Sequence, residues 1–194
     1  MKNILLFAFV LISSLTFAQD KKSLEERAQA VYKATTNSSG DYAAVAEYTY
    51  PKVFDIVPKE TLIEVMNSVL NSPEVKIQML DIKPDFSYGA IKKIDDAYYC
   101  LIDHNLGMKM IFTQDIPSEQ GEMIKEQIKA AMETENVVFN DDENSFTIKQ
   151  KAQMLAISDS HTDYDWYFIN LGDEGSEKFI GMLFNDKVRE EVGF

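Results

Sequence analysis

Every second residue from Tyr98 to Phe112 falls into one chemical class. Tyr98, Cys100, Ile102, His104, Leu106, Met108, Met110 and Phe112 form one row, apolar or aromatic except at His104. The intervening row, Tyr99, Leu101, Asp103, Asn105, Gly107, Lys109 and Ile111, is markedly more polar. A period of two is the mark of a strand buried on one face, and no helical spacing reproduces it. At about 3.3 Å per residue the strand is roughly 50 Å long and must bend. Gly107, on the polar row near the middle, is the expected place for a bulge or kink. The other elements are expected to pack on this spine.

Helical signals precede it. Ser23 and Glu26 make a capping box, and Leu24, Ala28, Val31 and Tyr32 share one helical face. Asn37 to Gly40 ends that helix, and Asn37-Ser38-Ser39 has the form of a glycosylation acceptor. Asp41 is the expected cap of a short second helix through Glu47. Pro51 holds Tyr50 extended, and Val53 to Ile56 reads as a short strand. Pro58 opens a third helix, with Leu62, Met66, Val69 and Leu70 turned inward. Val75-Ile77-Met79 and Phe86-Tyr88-Ala90 then read as strands broken at Pro84.

Beyond the spine, Ser118 to Glu133 is predicted helical, with Met123, Ile124, Ile128 and Met132 on one side. An acidic turn, Asn140 to Asn144, leads to a strand through Phe146, Ile148, Ala152, Met154 and Ala156, interrupted by Gln150. Trp166 to Ile169 is the last strand. Phe179, Met182 and Leu183 have helical spacing, and Val188 and Val192 suit a terminal helix after Asn185. No internal repeat or linker divides the chain, so residues 22–194 are expected to form a single domain.

The first residues read as a signal peptide, 1–18: Lys2, an apolar run from Ile4 to Ile12, and Thr16-Phe17-Ala18 before the expected cleavage. The run is too short to span a bilayer, and no cysteine follows it to carry lipid. The expected location is periplasmic or secreted. The 194-residue chain carries a formal charge of −13, which opposes nucleic-acid partners and anionic membrane surfaces. Cys100 is the only cysteine, so no internal disulfide forms, and its place in the apolar row makes it a small core residue.

This order of elements resembles the nuclear transport factor 2-like (cystatin-like) superfamily. The resemblance rests on Gly40-Asp41-Tyr42, on Tyr48-Thr49-Tyr50-Pro51-Lys52 through Lys59-Glu60, and on Trp166-Tyr167-Phe168-Ile169. It implies an α+β fold in which N-terminal helices pack in the concave face of a strongly curved antiparallel sheet, a cone, with the helix at Ser118 to Glu133 inserted between strands. The superfamily holds isomerases, cyclases, dehydratases and non-catalytic binding or dimerising domains. Its isomerases use an inward carboxylate base and a tyrosine. Here the inward row of the spine carries no aspartate, and Asp103 is on the opposite row.

His104, the one polar member of the apolar row, is the first candidate for chemistry. It is either a ligand donor lining the cone or a core histidine with one satisfied hydrogen bond. Gln150 is the matching exception on its own strand: it faces inward beside His104, or a bulge at Gln150-Lys151 turns it out. Tyr48, Tyr50 and Tyr98 offer hydroxyls at the cone mouth, and Met108 and Met110 an adaptable apolar wall. Asp159, His161, Asp163 and Asp165 alternate as calcium-loop ligands do, but Tyr164 replaces the loop glycine and Asn170 the bidentate glutamate. No cofactor or metal motif is present.

The functional expectation is a non-catalytic domain that binds a small apolar ligand or a protein partner. The rivals are an isomerase- or cyclase-like enzyme using His104 and a structural module that forms a homodimer.

Overall fold

The structure, a computed structural model, describes residues 21–36, 42–172 and 174–194, the side chains of 174–178 excepted. The expected signal peptide, the Asn37 acceptor and the Asp41 cap lie outside the described residues. The elements run α1 (residues 21–35), α2 (Ala43–Ala46), α3 (Val53–Ile56), α4 (Lys59–Leu70), β1 (Val75–Met79), β2 (Ser87–Tyr88), β3 (Lys92–Ile94) and β4 (Ala97–Phe112). Then follow α5 (Ser118–Ala131), β5 (Val137–Asn140), β6 (Ser145–Ser158), β7 (Tyr167–Leu171), α6 (Glu174–Leu183) and α7 (Asp186–Val192). The fold is α+β, built on one seven-stranded antiparallel sheet.

The long alternating stretch is β4, and it pairs with β6 from Tyr98 opposite Ser158 to Ile111 opposite Ser145. Short strands flank this central pair. β3, β2 and β1 lie along the free edge of β4, and β7 and β5 along the free edge of β6. The register is unbroken, so no bulge forms at Gly107, and of the two readings of Gln150 the one with a bulge at Gln150-Lys151 does not hold. Gly107 answers a different need. A Cβ there would come within 3.2 Å of Ile82 Cδ1 and 3.3 Å of Leu80 Cβ, so its bareness lets the 80–82 segment lie against the strand.

Three apolar clusters hold the sheet between helices. On the row that carries His104, Leu24, Ala28 and Val31 of α1 pack on Cys100, Ile102, Met154, Ala156 and Phe168. Their i, i+4, i+7 spacing makes one helical stripe. Leu24 and Ile102, fully buried, each contribute roughly 1.5–3 kcal/mol. Further along the same row, Ile124 and Ile128 of α5, with Met132 just after it, cover Met108, Met110, Phe146 and Ile148. α5 comes close because Gly121 has no side chain: a Cβ there would stand 2.2 Å from Phe139 Cε1.

The other row is not left to solvent as its polarity suggests. At one end Tyr99, Leu155, Ile157 and Ile169 are buried under Ile180 and Phe184 from α6 and the turn after it, and Val188 and Val192 of α7. Asn185 caps α7 by accepting the Val188 N–H at 3.0 Å. Tyr50 joins this cluster, stacked on Phe184 with centroids 6.0 Å apart, and its hydroxyl donates to Asp159 Oδ2 at 2.6 Å.

Several local expectations are corrected. Val53–Ile56 is a helical turn, not a strand: after Pro51 the chain closes Phe54 N–H onto the Pro51 carbonyl at 2.9 Å. Ser23 lies inside α1, whose residues 21 and 22 are already helical, so it is no cap. No residue of α4 is buried, and Val69, expected inward, is 59% exposed; Leu62 packs on the edge of a core cluster. Met123 and Met182 likewise face solvent. β2 is only two residues long, and the last strand runs on to Leu171.

Candidate functional site

Between the stretches of sheet covered by α1 and by α5 lies a cavity of about 350 Å³. Its floor is His104 and Leu106 of β4 with Gln150, Ala152 and Met154 of β6. These share one face because Leu106 pairs with Gln150, His104 with Ala152, and Ile102 with Met154. Val31, Tyr32 and Thr35, at the C-terminal end of α1, form one wall. Asn170, Leu171 and Gly172, at the end of β7, form another. Among the described residues no lining residue carries a formal charge when His104 is neutral, in a chain with 19 basic and 32 acidic residues.

His104 is 6% exposed and held from several sides. Tyr32 meets its ring edge-on with centroids 5.7 Å apart, and Phe86 does so at 6.2 Å. Tyr32 is fixed in turn by its hydroxyl, which donates to the Ile82 carbonyl at 3.2 Å. His104 Nδ1 stands 3.1 Å from the Asn105 carbonyl oxygen. A carbonyl only accepts, so Nδ1 carries the proton and Nε2 of the neutral ring is left as an acceptor. Burial lowers the His104 pKa below its ordinary value and outweighs the opposing pull of the Asn105 carbonyl and Asp103. The imidazole is therefore kept neutral. Among the described residues no carboxylate lines the cavity to pair with it.

Gln150 faces inward beside His104, as one of its two readings has it. Neither its carboxamide nor that of Asn170 makes a side-chain hydrogen bond among the described residues. The other candidates lie elsewhere. Tyr48 is stacked under Arg27, whose guanidinium carbon is 5.4 Å from the ring centroid. Tyr98 lies under Lys93, in a separate hollow with Tyr164 and Trp166. Met108 and Met110 are packed beneath α5. Tyr50 is sealed in the cluster on the opposite face. One row of about 50 Å is simply too long to line one site.

Sequence reasoning misses Tyr32, Thr35 and Asn170 as site residues. Tyr32 has a signal, its place on the apolar stripe of α1. Asn170 has none, because the sequence pattern ends the last strand one residue before it.

Cys100 is wholly buried, and burial pushes its thiol up to about 11, so it is the inert core residue expected. Around Asp159 the chain forms a 3-10 turn in which the carboxylate accepts the His161 N–H at 2.8 Å. Among the described residues no group of three or more histidine, cysteine or acidic side chains is placed to hold a metal ion. No described helix is long and apolar enough to cross a membrane. No protein-family model matches the chain, and no curated protein matches it.

Proposed function

We propose that this chain is an extracytoplasmic, non-catalytic domain that takes a neutral, largely apolar small ligand into the cavity beside His104. The observation that carries the reading is the lining. Apolar walls from Val31, Leu106, Ala152 and Met154 surround a few polar groups at His104, Gln150 and Asn170, with no charge among the described lining residues. Binding sites for small molecules have this make-up, and about 350 Å³ lies at the lower end of their usual size. The nuclear transport factor 2-like cone belongs to the same proposal, supported by α1 packed on the sheet at Cys100 and Ile102. So does export, supported by Lys2, the apolar run and Thr16-Phe17-Ala18.

The test is a titration of methyl-labelled protein with 1-hexanol. Shifts confined to Val31, Leu106 and Met154, with Ile148 and Met110 unmoved, are expected. His104→Leu should keep the fold and alter the affinity. A loss of roughly 1–3 kcal/mol of stability with affinity unchanged would leave His104 a satisfied core group instead.

A further inference from the structure

The sheet has two gaps in its outer strands, opposite each other across the β4–β6 pair. Along β4, β1 ends at Met79 opposite Met108, and β2 begins at Ser87 opposite Asp103. The protein fills this gap with its own atoms. Leu80 N–H donates to the Gly107 carbonyl at 2.8 Å, and the Asn105 side chain accepts from Asp85 N–H at 2.8 Å and donates to the Lys83 carbonyl at 2.9 Å. The Asn105 carbonyl is taken by His104 Nδ1.

Along β6 no described residue pairs across the matching gap. β5 ends its pairing at Ile148, and β7 begins at Gln153. Lys149 N–H still reaches the Asn136 carbonyl at 2.9 Å, and the Lys149 carbonyl accepts from the Thr134 hydroxyl at 2.7 Å. In a strand, residues two apart turn their peptide groups to the same edge. The N–H and C=O of Lys151 therefore point into the gap, between the paired Lys149 and Gln153, and meet no partner among the described residues. The cavity beside His104 opens at this same place. Gln150, Ala152, Gln153, Leu171 and Gly172 line both the cavity and the wide groove outside it.

We propose, resting on the ligand-binding reading above, that the ligand is an apolar molecule carrying a neutral amide with a free N–H. Its amide pairs with the Lys151 N–H and C=O as a neighbouring strand does, and its apolar body fills the cavity. One peptide edge offers one donor and one acceptor, which an amide matches and a carboxylate or ammonium does not. The apolar body meets no charged side chain among the described residues that line the cavity. His104 Nε2 takes a second N–H where the ligand has one.

The chemistry is shared by a peptide segment and a small amide, and matched probes separate them. The protein is titrated with hexanamide, N,N-dimethylhexanamide, hexanoate, hexylammonium and acetyl-leucine methylamide. Val31, Leu106 and Met154 methyls and the Lys151 amide are followed by NMR. Hexanamide should bind about tenfold more tightly than its dimethyl analogue and than either ion, and should shift the Lys151 amide. Tighter binding of acetyl-leucine methylamide than of hexanamide would identify a peptide source, and the reverse order a small amide. Lys151→Pro removes the N–H at an unpaired edge position and should abolish the preference, whereas Lys151→Ala should keep it. Equal binding of the dimethyl analogue, tighter binding of either ion, or an unchanged preference in folded Lys151→Pro overturns the amide assignment and leaves the cavity reading standing. Unmoved cavity methyls with every probe overturn both.

Discussion

Ile102 and Leu106 lie on the same strand, in the same alternating row, four residues apart, yet their surroundings differ. Ile102 is wholly buried beneath α1. Leu106, just beyond the end of that helix, looks into the cavity with His104 between them. α5 seals the row again from Met108 onward. The difference shows that alternation assigns a face and does not assign its cover. A row that reads as uniform core is divided by two helices into two packed stretches and one open one, and the open one holds the polar exceptions. His104 and Gln150 are tolerated there because a cavity can hydrate groups that close packing would strand.

The comparison breaks most sharply under charge. Ile102→Asp would bury an unpaired carboxylate among close-packed side chains and should cost more than about 4 kcal/mol, enough to abolish a cooperative urea transition. Leu106→Asp should cost only about 1–2 kcal/mol, since water reaches the cavity. Similar losses for the two would mean that the cavity is closed.

The seal made by α5 is probed at Gly121. Gly121→Ala places a methyl in the space of the Phe139 ring and should cost about 1–3 kcal/mol by forcing the ring or the helix to move. Binding of hexanol at the cavity should be unaffected, because α5 supplies none of its lining.

His104 gives a smaller effect with a definite sign. Its folded pKa is below the ordinary 6.5, so the unfolded chain binds the proton more readily. Its neutral burial is fully compatible with folding above pH 6.5, and stability falls as the pH drops from there toward the folded value. The slope from this one group is at most about 1.4 kcal/mol per pH unit. His104→Leu should remove that component from denaturation curves measured between pH 7 and 5, and a steeper loss in the variant would reverse the assignment.

Ala152→Leu should have the least effect on stability. The added methylenes enter the cavity, not packed core, so stability should stay within about 1 kcal/mol while hexanol binding is lost. A large destabilisation would show that Ala152 faces close-packed neighbours, like Ala156 beneath α1.

What the sequence determined by itself is local. The alternation from Tyr98 to Phe112 is enough to place His104 on the inner row and Asp103 on the outer, because opposite-pointing side chains are a property of any extended chain. Pro58, Asn185 and the acidic turn at Asn140 to Asn144 mark element boundaries for equally local reasons, through missing donors, capping oxygens and turn geometry. The failures are equally instructive. Val69 has an inward helical position but no surface to meet, and Tyr99 has an outward strand position that α7 later covers. Tertiary structure alone decided that α1 and α5 cover separate stretches of one row, that Asn170 arrives beside Gln150, and that Asn105 fills one gap while no described residue pairs with Lys151 in the other. These are meetings of segments far apart in the chain. They depend on where connections end and how much surface each helix can bury, and neither quantity is written in the spacing of nearby residues.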